Sequence, residues 1–378
     1  MFITGIGRTK FGILDKSLPE MLYEAMQKTL QDSPLKIEDI DAVVVSNFLA
    51  GPTTNQLHLG SLVTSLLPGT NLPAFRVEAA CASGGTAVYM AGSLLADYEN
   101  IMVLGGEKLT GQMNKKIYKN IAMAGDLLRD QKEGLIFPAQ YALVAAKYLK
   151  KFGLPPEDLV LVSRKNYFNA SKNPLAHFNY RDLTAEAICS SPHICHPLKL
   201  FDCCPISDGA AGLIVSRNSF SQRDIEILGR GAATDAISFS QRKDFTGFSA
   251  ARCAAKRAYD AADIEPADID LAEVHDCFSI AEVIAMEDLS FCSKGVAMDL
   301  IRSGETSLSG HLPVNTDGGL LADGHPMGAT GIAQICEIVR QLRGEAGERQ
   351  VSRHEIGLSH NVGGVGGTAV VHIMRRCI

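Results

Sequence analysis

The chain has 378 residues, 46% hydrophobic and 21% charged, with 35 Gly and 15 Pro. That composition excludes disorder, collagen and coiled coil and suggests two or three packed units. A formal charge of −6 argues against whole-surface attraction to nucleic acid or anionic lipid, though it leaves local patches open.

The N-terminal segment, residues 1–12, lacks the apolar core and cleavage site of a signal peptide and reads as a short strand entering a Gly-punctuated turn. No uncharged apolar stretch reaches the ~18 residues of a spanning helix. Arg376-Cys377-Ile378 matches neither a peroxisomal nor a prenylation signal. The ten cysteines sit mostly inside apolar runs and are too sparse for a disulfide scaffold. A cytoplasmic protein that neither spans a membrane nor binds nucleic acid is expected.

Residues 34–48 place Asp39-Ile40-Asp41 before an apolar strand, and residues 263–278 place Asp268-Ile269-Asp270 before another. Two further pairs follow in the same order: the small-residue helix 84–97 with 328–342, and Asp208–Ser216 with Gly364–His372. Three ordered matches predict two similar α/β halves.

Between the matched segments of the first half, residues 112–199 carry 13 Lys plus Arg against 7 Asp plus Glu. The clusters at Lys115, Lys116 and Lys119, at Lys147, Lys150 and Lys151, and at Arg164 and Lys165 read either as solvated helical faces or as a landing surface for phosphates. No nucleic-acid-binding motif accompanies them, which favours a phosphorylated small molecule over DNA.

Four segments carry residues that packing does not require. Cys81 follows a strand-like run and precedes the Gly-rich helix from Ser83, an elbow where free amides and the helix dipole favour a thiolate and can hold an oxyanion; the bland reading is a small buried cysteine. His275-Asp276-Cys277-Phe278 ends a strand and opens the helix 279–287, with Asp276 a candidate helix cap. His325 stands between glycines and Pro326 on a tight turn, held as a general base must be. His360–Gly367 is a Gly-rich turn without a nucleotide-cradle spacing. A fifth group, His193, Cys195, His196, Cys203 and Cys204, lacks a recognised zinc spacing and is broken by Pro192 and Pro197, so no metal site is expected.

Together these motifs resemble the thiolase family across essentially the whole chain. Cys81-Ala82-Ser83 is similar to its nucleophile motif, Gly324-His325-Pro326 to its activating-histidine motif, and Asp208–Gly212 to a core strand. Asn361-Val362-Gly363 stands where common thiolases carry a second catalytic Cys, and His275–Phe278 where they carry Asn-Glu-Ala-Phe. Both departures match the sterol-carrier-protein type of thiolase, acetyl-CoA acetyltransferase-like, in which the missing thiol reappears as Cys277. The fused lipid-carrier domain of some relatives is not expected here, because the sequence stops at Ile378 directly after the last core strand.

The resemblance implies the thiolase fold, two duplicated α/β halves in a layered α-β-α-β-α core with an inserted loop domain. The expected boundaries are 1–111 with 200–222 for the N-terminal half, 112–199 for the loop domain that binds CoA and substrate, and 223–378 for the C-terminal half. It implies reversible Claisen condensation and thiolytic cleavage of a 3-ketoacyl-CoA through an acyl-enzyme on Cys81. His325 activates that thiol and Cys277 moves the α-proton. The amides of Cys81 and Gly363, with His275 and His325, are candidates for two oxyanion holes. Lys115, Lys116, Lys119 and Lys165 are candidates for the CoA phosphates. Coenzyme A and acyl-CoA enter as substrates, with no tightly bound cofactor. A homodimer or dimer of dimers is expected, with a small acyl-CoA-binding protein as a further partner. The alternatives are another condensing enzyme on the same scaffold, a thiolase-like subunit of a larger acyl-CoA-processing complex, and a Cys–His hydrolase, for which no local signature is present.

Overall fold

The computed structural model describes residues 1–67, 69–178 and 183–377. Residues 179–182 of the expected loop domain and Ile378 lie outside the described residues. The first half runs β1 (Phe2–Arg8), α1 (Leu18–Asp32), β2 (Ala42–Ser46), the short α2 (Ala50–Thr54) and α3 (Leu59–Ser65), β3 (Ala74–Val77), α4 (Ser83–Leu94) and β4 (Asn100–Glu107). A long excursion holds α5 (Asn114–Ile121), α6 (Phe137–Phe152), α7 (Leu159–Ala170), α8 (Ala185–Cys189) and the hairpin of β5 (His193–Cys195) and β6 (Leu198–Lys199). The chain returns through β7 (Gly209–Ser216) to the second half: β8 (Ile225–Thr234), α9 (Ser249–Ala262), β9 (Leu271–Glu273), α10 (Ser279–Asp288), α11 (Ala297–Ser303), α12 (Gly319–Ala322), α13 (Met327–Arg343), β10 (Ile356–Gly363) and β11 (Thr368–Arg376).

Nine of these strands pair in the order β3-β2-β4-β7-β1-β8-β11-β10-β9. The order is a palindrome of two halves joined where β1 meets β8. In each half the strand after the first helix pairs parallel with its neighbours, β2 with β3 and β4, and β9 with β10. A parallel bridge from Ala272 to Val314 stands where β3 does in the first half. The two chain-reversing strands, β7 and β11, pair antiparallel on both sides.

The duplication reaches the seating of the helices. A Cβ on Gly7 of β1 would meet the backbone of α1 at Thr29 and Ala25, and Cβ atoms on Gly229 and Gly231 of β8 would meet α9 at Ala258 and Ala254. Each strand thus carries Gly-x-Gly because a helix lies directly on its backbone, a match between the halves that the sequence pattern alone did not bring out. The expected pairing of Asp208–Ser216 with Gly364–His372 needs a correction of register. Gly209 closes β7 against Glu107, and Thr368 closes β11 against Gly363, so Gly209 corresponds to Thr368 rather than to Val365. The Gly-rich turn 363–367 lengthens the second hairpin and displaces the sequence match by three residues.

Between the two sheet halves lie α4 and α13, in one apolar cluster with β1, β4, β7 and β8; α1 and α9 cover the outer faces. At the crossing of the two central helices a Cβ on Gly84 would lie 2.8 Å from the amide nitrogen of Gly331. That backbone-to-backbone approach aligns the N-terminal ends of both helices toward one place. The excursion does not stay with the half that emits it. Tyr141, Val144 and Tyr148 of α6 and Val162 of α7 share a buried core with α9 and α10 of the second half.

Candidate active site

Cys81 stands two residues before α4, after a backbone kink at Ala80, whose φ of +51° is left-handed for a non-glycine residue. Ser83 clasps the kink: its hydroxyl accepts the Ala79 N–H at 2.9 Å and donates to the Ala80 carbonyl at 2.6 Å. The Ser of Cys81-Ala82-Ser83 is therefore structural support for the cysteine. The sulfur is buried and accepts a hydrogen bond from the Gly364 amide. Burial first, and the nearby Glu107 carboxylate among the rest, push the thiol up to about 12. The elbow does not generate a standing thiolate, contrary to the expectation drawn from the helix dipole, because desolvation outweighs it. Cys81 needs a base.

One ring nitrogen each of His275 and His325 lies with the Cys81 sulfur in a group whose members are all within 4.8 Å of one another. The two rings meet edge to face, centroids 5.1 Å apart. Their second nitrogens are held differently. Thr330 Oγ1 donates to the Pro326 carbonyl at 3.1 Å, so at 2.8 Å it accepts from Nδ1–H of His325. The Nε2 of His325 is then left as a bare lone pair, buried without a partner. Asn361 does the reverse. Its Oδ1 accepts the Gly85 N–H at 3.1 Å, so its NH2 donates to the Cys81 carbonyl and to Nδ1 of His275, each at 3.1 Å. His275 must then carry its proton on Nε2, also buried and unpartnered. One imidazole offers an acceptor and the other a donor. Burial keeps both neutral: His325 falls to about 3, and His275 falls well below the ordinary value under burial and the adjacent His325 and His360.

Cys277 is buried at the junction after β9, its thiol pushed well above the ordinary range by burial and hydrogen-bonded to the Tyr141 hydroxyl. Cys81, Cys277, His325 and Gly364 open together on a cavity of about 470 Å³. Its wall is otherwise largely apolar, including Ile121, Phe137, Tyr167, Phe201 and Ile206, with a further thiol, Cys204. The donor set Cys81, His275 and His325 is of a type that also ligates zinc.

Several expected residues lie elsewhere. The amide at the Cys81 sulfur belongs to Gly364, with φ of +61°, and not to Gly363, which closes the β10–β11 ladder under the Ala79 carbonyl. Lys165 does not reach a phosphate surface: it is nearly buried, ion-paired with Glu282 at 3.1 Å and donating to the Val314 carbonyl at 2.6 Å. Lys115, Lys116 and Lys119 are exposed on α5, whose neighbours Ile121 and Tyr118 line the cavity. Asp276 caps a helix, but α12 rather than α10: it accepts the Leu320 N–H at 2.6 Å and a bond from Asn166 at 2.7 Å. Asp208 clasps the loop after β4 through the amides of Leu109 and Thr110 and the ammonium of Lys108. Of the fifth group, His193, Cys195 and His196 lie on the short β5–β6 hairpin, and only Cys203 and Cys204, beyond it in the chain, line the cavity. Tyr141 and Thr330 went unnoticed in the sequence, because nothing in their local pattern separates them from core and helix residues. Gly364 lies within the Gly-rich turn 360–367, whose glycines could offer amides to an oxyanion, but nothing there distinguished it from its neighbours.

Comparison with known proteins places this geometry. Residues 1–182 match the family described as "Thiolase, N-terminal domain" and residues 231–376 that described as "Thiolase C-terminal domain-like". The chain is 42% identical to an acetyl-CoA acetyltransferase of Methanothermobacter thermautotrophicus over 99% of each protein. It is 31% identical to human sterol carrier protein 2, over 99% of this chain and 72% of that one. Among solved structures it superimposes on the "Ltp2-ChsH2(DUF35) aldolase" with a TM-score of 0.85 at 25% identity, covering 99% of this chain and 97% of that one. On human mitochondrial 3-ketoacyl-CoA thiolase in complex with CoA the TM-score is 0.73 at 15% identity, covering 100% and 98%.

Proposed function

The chain belongs to the thiolase family and is an acyltransferase of the acetyl-CoA acetyltransferase kind, and we propose that Cys81 carries the acyl group, His325 is its base and Cys277 moves the α-proton. The observation that carries this assignment is the opposed tautomer of the two imidazoles beside one thiol: a bare Nε2 on His325 and an Nε2–H on His275.

In the cleavage direction the bare nitrogen of His325 takes the Cys81 proton as the sulfur attacks the 3-keto carbonyl. Burial keeps both partners neutral in the free enzyme, so the proton moves in concert with the attack and the imidazolium forms only as the oxyanion develops beside it. The tetrahedral oxyanion meets backbone amides, with those of Gly364 on the β10–β11 turn and of Cys81 itself, which both bond the sulfur, as the candidates. Collapse breaks the C–C bond, leaving the acyl thioester on Cys81 and an acetyl-CoA enolate. Cys277 protonates the enolate carbon, and the Nε2–H of His275 is aimed to hold its oxygen. Cys277, now a thiolate, takes the proton of an incoming CoA thiol. That sulfur attacks the thioester, and Cys81 leaves and recovers its proton from His325. Every proton is returned, and the reverse sequence is condensation.

Lys115, Lys116 and Lys119 are proposed to meet the CoA phosphates from α5, at the lip of the cavity. The loop-domain boundaries 112–199 stand as a proposal; the excursion begins after Glu107 and ends before Gly209. A homodimer is supported by β3, the outer strand of the sheet, which carries an exposed Phe75 on an edge with no neighbour among the described residues. A second reading, as a subunit of a larger acyl-CoA-processing assembly with a small partner protein, is favoured by the close superposition on the chain of the Ltp2-ChsH2(DUF35) aldolase. No described helix is long and apolar enough to cross a membrane. A reducing cytoplasm, where all ten cysteines remain free, and a place in lipid metabolism complete the proposal. Intact mass spectrometry after incubation with acetyl-CoA tests it: an acetyl adduct on Cys81, discharged by free CoA and absent in Cys81→Ala, is expected. A folded protein with no adduct overturns it.

A further inference from the structure

Cys277 must persist as a thiolate while Cys81 is acylated, in a cavity whose walls are apolar and whose burial disfavours that charge. The imidazolium of His325 balances the charge but sits with Cys81. A second donor, next to Cys277, would hold it.

Tyr141 is that donor by position. It belongs to the excursion helix α6, yet it is buried in the second-half core with Cys277 and Phe278. Its ring stacks on Phe278, the residue after Cys277, at 4.6 Å and 26°, and meets Phe248 edge-on at 6.2 Å. These contacts fix the ring, so the only free movement is rotation of the hydroxyl hydrogen. The hydroxyl has two acceptors: the Gly364 carbonyl at 3.1 Å and the Cys277 sulfur. A phenol has one proton and cannot serve both.

We propose that Tyr141 is a positioning residue for the second thiol, its proton resting on the Gly364 carbonyl while Cys277 is a thiol and turning to the Cys277 sulfur when that thiol ionises. In the resting enzyme Cys277 S–H donates to the phenol oxygen. After CoA leaves with the Cys277 proton, the sulfur has none to give and the phenol O–H donates to it instead. No bond to carbon and no electron is involved; one hydroxyl proton changes acceptor. Gly364 links this movement to the first thiol through its two flanking peptides: its N–H bonds the Cys81 sulfur while its C=O takes the tyrosine.

The inference rests on the proposed acyl-enzyme, and the test separates the two. Tyr141→Phe keeps both ring contacts and removes only the hydroxyl. Wild type and variant are incubated with acetyl-CoA in D2O, and both the acetyl adduct on Cys81 and the exchange of the acetyl α-protons are followed across pD. The expected result is exchange slowed roughly 10- to 100-fold, the worth of a hydrogen bond to a charged group, with its pD profile moved upward. Acylation, in which the same thiolate forms as CoA leaves, is slowed as well but by less, because the charge on Cys277 is only partly developed in that step. Exchange equal to wild type overturns the inference. So does a loss of exchange and acylation in step without a moved profile, which assigns Tyr141 to packing alone. If wild type itself forms no adduct, the acyl-enzyme reading falls instead.

Discussion

Thr330 Oγ1 lies 2.8 Å from Nδ1 of His325, and because its own proton goes to the Pro326 carbonyl it obliges that imidazole to present an unprotonated Nε2 to Cys81. The same helix turn that seats His325 thus sets its protonation. Thr330→Val keeps the shape and removes the acceptor. Its kcat is expected to fall roughly 10²-fold, at the low end of what a general base contributes, with the melting temperature little changed. Steady-state kinetics beside a thermal melt check this; an unchanged kcat would show that the tautomer is set elsewhere.

Asn361 orients His275 in the opposite sense, so Asn361→Asp reverses it. A carboxylate cannot donate to Nδ1 and draws the ring proton onto that atom, stripping Nε2 of its donor. It also sets an acceptor against the Cys81 carbonyl. A fall in kcat of about 10²–10³, the usual cost of one oxyanion donor, is expected in condensation and cleavage alike. Asn361→Gln activity near wild type would count against the geometric argument.

Gly331 is required by the crossing of α4 and α13. A Cβ there would press on the Gly85 amide and the Asn361 carboxamide together. Gly331→Ala is expected to lower stability by about 1–3 kcal/mol and to lose activity through Asn361 even below the unfolding transition. Urea denaturation and activity at low temperature separate the two effects.

Stability should respond to acid gently at first and then steeply. Burial lowers His325, His360 and His372 to about 3, and His275 well below its usual range. Unfolded imidazoles take protons below 6.5 that the folded ones refuse, so each costs about 1.4 kcal/mol per pH unit as pH falls. Five buried carboxylates act the other way. Glu107 and Asp323 are raised to about 7, and Glu273, Asp276 and Asp317 are also raised, so the folded state binds protons there first. Between the ordinary imidazole and carboxylate ranges the two sets therefore act in opposite senses, and the carboxylates blunt the loss that the imidazoles alone would cause. Below the ordinary carboxylate range this opposition ends, and the lowered Asp32 and Asp208 add to the loss. A urea midpoint that falls gently from about pH 6.5 and steeply below about 4 is expected; one uniform slope across both ranges would contradict the opposition of the two sets.

The sequence by itself determined the duplication, the two thiols and the two histidines, because Cys81, His275 and Cys277 stand at strand-to-helix junctions and His325 on the Gly-bounded turn between α12 and α13, where core packing asks for none of them. It also carried the family, since the departures at Asn361 and Cys277 explain each other. What it could not determine was which partner each polar atom meets. Lys165 reads as a phosphate ligand until Glu282 closes on it, Asp276 reads as the cap of its own helix until α12 arrives, and Gly363 gives way to Gly364 by one residue of hairpin register. Tyr141 is invisible in its helix because its partner, Cys277, lies far along the chain on another element. Residue type and spacing report local geometry; the direction of a proton between Thr330 and His325, or between Tyr141 and Cys277, is set by contacts that only the packed halves and the returning excursion create.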